Sequence, residues 1–359
     1  MAKTLLYNRM KISRIYIFFL IFIISTISCK SQKEVKVPSG TKAFNLLSEY
    51  QLFKGNLADL IPEVGVIPYD LNTPLYSDYA QKARFVWMPE NETAVAQSDG
   101  TIQFPLQTIL VKNFFYETNG IKNIIETRLL IHTLKGWNAV TYVWNKEQTD
   151  AKLEIAGATV PVIFEHLGKE ISFNYSVPNK IQCKNCHNVD NELLPIGPKI
   201  ANLNRNIQYF DGEKNQLDYW NEYGYLDVKN QKETPVLPAW DNPTYSLEQR
   251  SKAYLDVNCG HCHSAKGLAN TSGLFLQYFG DQSNTALGIC KTPVAAGRGS
   301  GGRAVDIKPG HPDESILLYR MESEDPGVMM PEIGRKLVHQ EAIDLIHKWI
   351  EEMESVECL

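Results

Sequence analysis

Thr108-Ile-Leu-Val-Lys-Asn-Phe-Phe-Tyr116, then Asn119-Gly120, then Ile124-Ile-Glu-Thr-Arg-Leu-Leu-Ile131 is the stretch from which the fold can be read. Two runs rich in β-branched and aromatic side chains flank an Asn-Gly pair. That pair tolerates the positive φ angles of a two-residue turn, so the stretch predicts a β-hairpin. Further along, Val140-Thr-Tyr-Val-Trp144 and Ile171-Ser-Phe-Asn-Tyr175 add short strands with turn residues between them. Residues 43–238 are therefore expected to form a β-rich domain, a sandwich or a twisted sheet.

From residue 239 the pattern changes. Ser246 with Gln249 three residues later predicts a capping box that opens a helix running through Val257. A second helix is expected from Asp313 to Met321 and a third from His339 to Met353. In the third, Ala342, Leu345, Ile346, Trp349, Ile350 and Met353 recur at helical spacing. The fold class expected is thus α+β multidomain, a β-rich N-terminal domain followed by a small all-α domain over residues 239–359.

The N-terminus reads as an export signal. Lys3, Arg9, Lys11 and Arg14 precede Ile15 to Ile27, 13 residues in which only Ser25 and Thr26 are polar, and Ser28 and Cys29 follow. Such a run is short for a membrane span but suits a signal-peptide core. A small residue before Cys29 resembles a lipobox, although Thr26 stands where Leu is usual. The expectation is a lipoprotein signal peptide over 1–28, a lipid anchor at Cys29, and a polar tether over 29–42. Loss of 1–28 removes four positive charges and no negative ones, taking the formal charge from −5 to −9. An acidic body excludes nucleic acid as the expected partner, because phosphate contacts need a basic surface.

Cys183-Lys-Asn-Cys186-His187 and Cys259-Gly-His-Cys262-His263 are two copies of C-x-x-C-H. Two thiols at this spacing reach both vinyl groups of one haem, and the adjacent histidine falls beneath the iron. A zinc ribbon would need the two pairs much closer in sequence and would leave both histidines without a role. The cofactors expected are two haem c groups, held by Cys183, Cys186 and His187 and by Cys259, Cys262 and His263.

Met330-Pro331 lies 67 residues beyond His263 and is followed by the last amphipathic helix. The order helix, C-x-x-C-H, loop, Met, C-terminal helix is similar to small class I cytochromes c, in which the Met sulfur is the sixth iron ligand. This similarity implies a cytochrome c-like domain with Met330 as distal ligand. Met329 is the adjacent alternative, and Met321 a poorer one on an apolar helix. The first motif has no such partner: after His187 no Met follows before Met321 and no His before His261. The candidates are Met88, flanked by Trp87 and Pro89, then His132 and His166, a residue of the tail, a weaker ligand group, or an open position.

Cys290 and Cys358 remain, and in an oxidising compartment can pair and fasten the chain end to the glycine-rich loop 295–310. Gly297-Arg-Gly-Ser-Gly-Gly302 matches G-x-G-x-x-G by letter, yet follows no strand and opens no helix, so it is not a dinucleotide site. A flexible loop over the haem face is expected there, with Arg298 or Arg303 available to a propionate.

Several blocks resemble a bacterial family of two-haem c-type cytochromes, related to cytochrome c tails of PQQ-dependent sugar dehydrogenases. They are Ile67-Pro-Tyr-Asp-Leu-Asn-Thr-Pro-Leu-Tyr-Ser-Asp-Tyr-Ala-Gln-Lys-Ala-Arg-Phe85, Glu126-Thr-Arg-Leu-Leu130, Val143-Trp-Asn-Lys-Glu-Gln-Thr-Asp-Ala151, Pro178-Asn179 with Gln182-Cys-Lys-Asn-Cys-His187, Tyr254-Leu-Asp-Val-Asn-Cys-Gly-His-Cys-His263, and Pro309-Gly-His-Pro-Asp-Glu-Ser315. The resemblance implies an electron-transfer protein on the periplasmic side of a membrane. Its partner would be a periplasmic redox protein such as a dehydrogenase or a small cytochrome. Two other classes fit the same motifs: a two-haem peroxidase with an open first haem, for which Glu165-His166 could serve, and a haem-based ligand-sensing lipoprotein.

Overall fold

The computed structural model describes residues 34–40, 42–229 and 234–358. The expected signal peptide, the Cys29 anchor and tether positions 30–33 and 41 lie outside the described residues. The chain divides into Met1–Val35 and Lys36–Leu359, and every element below belongs to the second unit.

Six antiparallel strands lie side by side in chain order: β1 (Val66–Tyr69), β2 (Gln81–Trp87), β3 (Ile109–Thr118), β4 (Ile121–Thr133), β5 (Gly136–Trp144) and β6 (Ala151–Glu154). The β3–β4 hairpin turns at Asn119 and Gly120, whose φ angles are 52° and 75°. This is the turn expected from that pair, since only such backbone follows the twist of the two strands. A second hairpin, β7 (Ala158–His166) and β8 (Lys169–Val177), packs Val162, Phe164, Tyr175 and Val177 against Phe114 and Tyr116 of β3. The β-rich half is therefore built on a six-stranded meander with a two-stranded ribbon on one face, joined by a small three-stranded sheet (Leu226–Asp227, Ala94–Ala96, Ile102–Gln103) and two short hairpins (Asn188–Val189 with Glu192–Leu193, and Asn206–Tyr209 with Gly212–Asn215). Helix α1 (Lys180–Cys186) follows directly from β8 and packs on β5.

Two short helices, α2 (Ile200–Leu203) and α3 (Gln216–Glu222), complete this half, with Trp220 fully buried beside Tyr69. Beyond residue 238 come α4 (Leu247–Leu255), α5 (Asn284–Leu287), α6 (Ile316–Glu322) and α7 (Gln340–Glu351). The Ser246 hydroxyl accepts from the Gln249 amide, and the Gln249 side chain accepts from the Ser246 amide, as the capping box requires. Ala342, Leu345, Ile346, Trp349 and Ile350 of α7 pack on Tyr254 and Leu255 of α4 and Leu318 of α6. Cys290 and Cys358 form a disulfide, tying the chain end beside Ile307 at the foot of the glycine-rich loop.

Asp78 fastens the sheet to the C-terminal elements. Its Oδ1 accepts from the amides of Lys336 and Leu337 at 2.6 and 2.8 Å. Tyr76 stacks on His339 with ring centroids 4.2 Å apart, and its amide donates to Oδ1 of Asn258, the residue before Cys259. The Leu75-Tyr-Ser-Asp-Tyr79 segment is thus the clamp that sets the second C-x-x-C-H motif against the first half.

Candidate functional site

Helix α1 owes its start to Asn179, whose side chain accepts from the Gln182 amide while Gln182 caps back. One turn later it delivers Cys183 and Cys186, and it ends at His187. All three line a cavity of about 110 Å³. The face of β1 to β5 forms the floor, α1 one wall, and Ile333 and Gly334, from the loop after Met330, reach in from the C-terminal half.

His187 Nδ1 lies 2.8 Å from the Leu194 carbonyl. A carbonyl only accepts, so Nδ1 carries the proton and Nε2 the lone pair. Burial, then the charge of Lys112, lowers the His187 pKa to about 3, so the ring is neutral at pH 7. In the second motif His263 Nδ1 lies 3.1 Å from the Ser272 hydroxyl, which itself donates to the Ala269 carbonyl at 2.6 Å. The hydroxyl therefore accepts from His263, and Nε2 is again the lone-pair nitrogen. Burial, then Arg320, lowers this pKa to about 4. Fixing one ring nitrogen so that the other can ligate is how proteins orient a metal-binding histidine.

The second motif begins where α4 widens into one π-helical turn, Asp256–Gly260, which carries Cys259. Single π-turns of this kind are concentrated at functional sites. Cys183, Cys186, Cys259 and Cys262 are all free thiols. Burial pushes Cys186 up to about 11 and Cys259 up to about 12, and raises the other two as well. After burial, the next influence raising Cys186 is the charge of Cys262. The loops behind the two motifs meet: the Asp190 amide donates to the Lys266 carbonyl, and their side chains pair at 3.4 Å. Among the described residues, no group of three or more His, Cys, Asp and Glu side chains is gathered as a metal-ion site would need.

Of the proposed distal ligands, Met330 is half-buried in the loop before α7. Its amide donates to the Arg320 carbonyl and its carbonyl accepts from Arg335. Met329 is buried, and Met321 belongs to the core packed under α7. For the first motif, none of the three named candidates lines the cavity. Met88 is 1% exposed in the core with Tyr225 and Leu226 and does not line the cavity. His132 stacks on Trp137, and His166 bonds Glu341 at 2.7 Å, so neither reaches it. Arg298 and Arg303 are also engaged elsewhere. Arg298 pairs with Asp325 at 2.9 Å, while Arg303 donates to the Asp313 carbonyl and covers the Tyr319 ring. The glycine-rich loop is therefore tied to its own half and is not a free flap.

What sequence reasoning missed are the charged residues on the cavity floor: Arg84, Lys112 and Arg128. Their signal is the alternation within the strands, which places them on the same face as the buried Leu110 and the partly buried Leu130.

No protein-family model, no curated protein and no solved structure matches the chain.

Proposed function

We propose that the protein is an exported, lipid-anchored c-type cytochrome with two covalently attached haems, carrying electrons between a periplasmic dehydrogenase and another carrier. The observation behind this reading is a pair of neutral histidines, each directly after a C-x-x-C pair, each with Nδ1–H given to an oxygen and Nε2 left as a ligand. Cys183 and Cys186 would hold one haem and His187 would ligate its iron. Cys259, Cys262 and His263 would hold the other, with Met330 as distal ligand in a cytochrome c-like domain formed by residues 239–359. Bound haem supplies a one-electron Fe(III)/Fe(II) couple. The chain's part is to hold four neutral thiols beside two oriented imidazoles and to keep the two motifs adjacent, which shortens the path between them.

The test is the pyridine haemochrome of the chain co-expressed with c-type maturation proteins. Two covalent haems per chain are expected, falling to one in Cys183→Ala/Cys186→Ala and to one in Cys259→Ala/Cys262→Ala. A wild-type chain without covalent haem would refute the reading. A second reading, peroxide or gas chemistry at the first haem, is favoured by one observation. Among the described residues lining the first cavity, His187 is the only histidine and there is no methionine. Carbon monoxide addition separates the two: a spectral change at one haem supports an open first site, and none supports a pure carrier.

A further inference from the structure

Three cations stand side by side on the floor of the first cavity. Strand register sets Tyr69 opposite Arg84, Arg84 opposite Lys112, Lys112 opposite Arg128, and Arg128 opposite Thr141. All five residues line the cavity. Like charges directly opposite one another on a sheet face are destabilising, so such a row calls for anions. Two of the three cations have one. Arg84 pairs with Asp70 at 2.8 Å, and Arg128 makes a two-pronged pair with the fully buried Glu126, which also accepts from Tyr175.

Lys112, between them, has neither a hydrogen-bond nor an ion-pair partner among the described residues, only the Phe114 ring at 5.6 Å from its Nζ. The Nε of Arg84 is likewise buried without a partner, although the side chain is only 4% exposed. Burial, with Arg84 and Arg128 adding to it, lowers the Lys112 pKa to about 7. The row is short of negative charge, and an uncompensated cation that is partly buried is costly. The neighbouring row on the same face, Leu110, Leu130 and Ala139, is apolar and lines the same cavity. An apolar strip beside a cationic one suits a flat apolar ligand that carries carboxylates along one edge.

We propose that Lys112, with the free Nε of Arg84, is the carboxylate-binding end of this site and receives the propionates of the haem that Cys183 and Cys186 would hold. This inference rests on the two-haem reading and adds to it the residues that orient the cofactor within its cavity. Charge-assisted bonds of this type are short and strong, and a cation beside the carboxylates favours the reduced iron.

The experiment is a redox titration of the wild-type holoprotein beside Lys112→Met, Lys112→Gln and Lys112→Arg, with the haemochrome measured on each. Two haems per chain are expected throughout, because attachment is through the cysteines. The midpoint potential of the first haem should fall in Lys112→Met and Lys112→Gln, stay near wild type in Lys112→Arg, and leave the second haem unmoved in all three. The glutamine variant keeps the side-chain length, so the comparison survives if the methionine variant does not fold. Unchanged potentials in the uncharged variants would overturn the proposal, as would an arginine variant that shifts as far as they do. A wild-type first-haem potential that moves with added phosphate or citrate would place a free anion at Lys112, and would also overturn it. Absence of covalent haem from wild type would instead bring down the two-haem reading itself, and is seen before any variant is compared.

Discussion

His187 and His263 reach the same state by different partners, a main-chain carbonyl in one and a serine hydroxyl in the other. In the second motif the partner sits in a tight loop, Ser264 to Ser272, and Gly267 is its narrowest point. A Cβ at Gly267 would lie 2.2 Å from the Cys262 carbonyl oxygen and 2.8 Å from that of His261. Both obstacles are backbone, which cannot rotate aside, so Gly267→Ala must push the loop off Cys262. It should cost about 1–3 kcal/mol, as overpacking does, read as a fall in Tm. It should also lower covalent haem at the second motif while the first is unaffected. Gly267→Ala with wild-type Tm and haem content would show that the loop can relax without moving Cys262.

At the scale of elements, α4 is the lever that positions the second motif, since Cys259 lies on the π-turn continuing it. Ser246→Ala removes the hydroxyl that satisfies the Gln249 amide and should cost about 1 kcal/mol, measured by denaturant unfolding. A loss below a few tenths would mean that the Gln249 side chain alone holds the helix start. Such elements were legible in the sequence because their signals are local. The Ser246 box, the Asn119-Gly120 turn and the apolar stripe of α7 each depend on residues within a few positions. The two C-x-x-C-H motifs were legible for the same reason. Lys112 was not, because its meaning comes from Arg84 and Arg128 lying opposite it on β2 and β4, which only strand register discloses. Met88 misled for a related reason. Its flanking Trp and Pro suggested a rigid mount, but its side chain is packed in the core with Val86 and Tyr225 and is not among the residues lining the cavity.

In the molecule as a whole, the sheet and the C-terminal elements meet around His339, which lies in front of α7. Its ring is enclosed by Tyr76, Tyr79, Trp240 and Tyr254, and its side chain is 13% exposed. The charged groups facing it are Glu341, Lys82 and His166. Burial dominates and lowers the His339 pKa from 6.5 to about 4, with Glu341 opposing. Folding therefore requires the neutral ring, while the unfolded chain takes up a proton below pH 6.5. The stability this group contributes is present above pH 6.5 and is lost as the pH falls toward 4, amounting to about 3 kcal/mol over that window. Glu341, whose pKa is lowered, loses its own contribution at still lower pH, whereas Asp78, raised by burial, opposes both. Comparing a variant with wild type cancels those shared terms. His339→Phe keeps a ring against Tyr76 and removes the proton site, at the cost of the Tyr254 hydrogen bond. Urea unfolding at pH 7 and pH 4 should show the wild type losing about 3 kcal/mol more than the variant between the two. Equal losses would mean that the ring is protonated in the folded protein with the help of Glu341, and that the joint between the halves is held by Asp78 and the tyrosines without a pH-sensitive member.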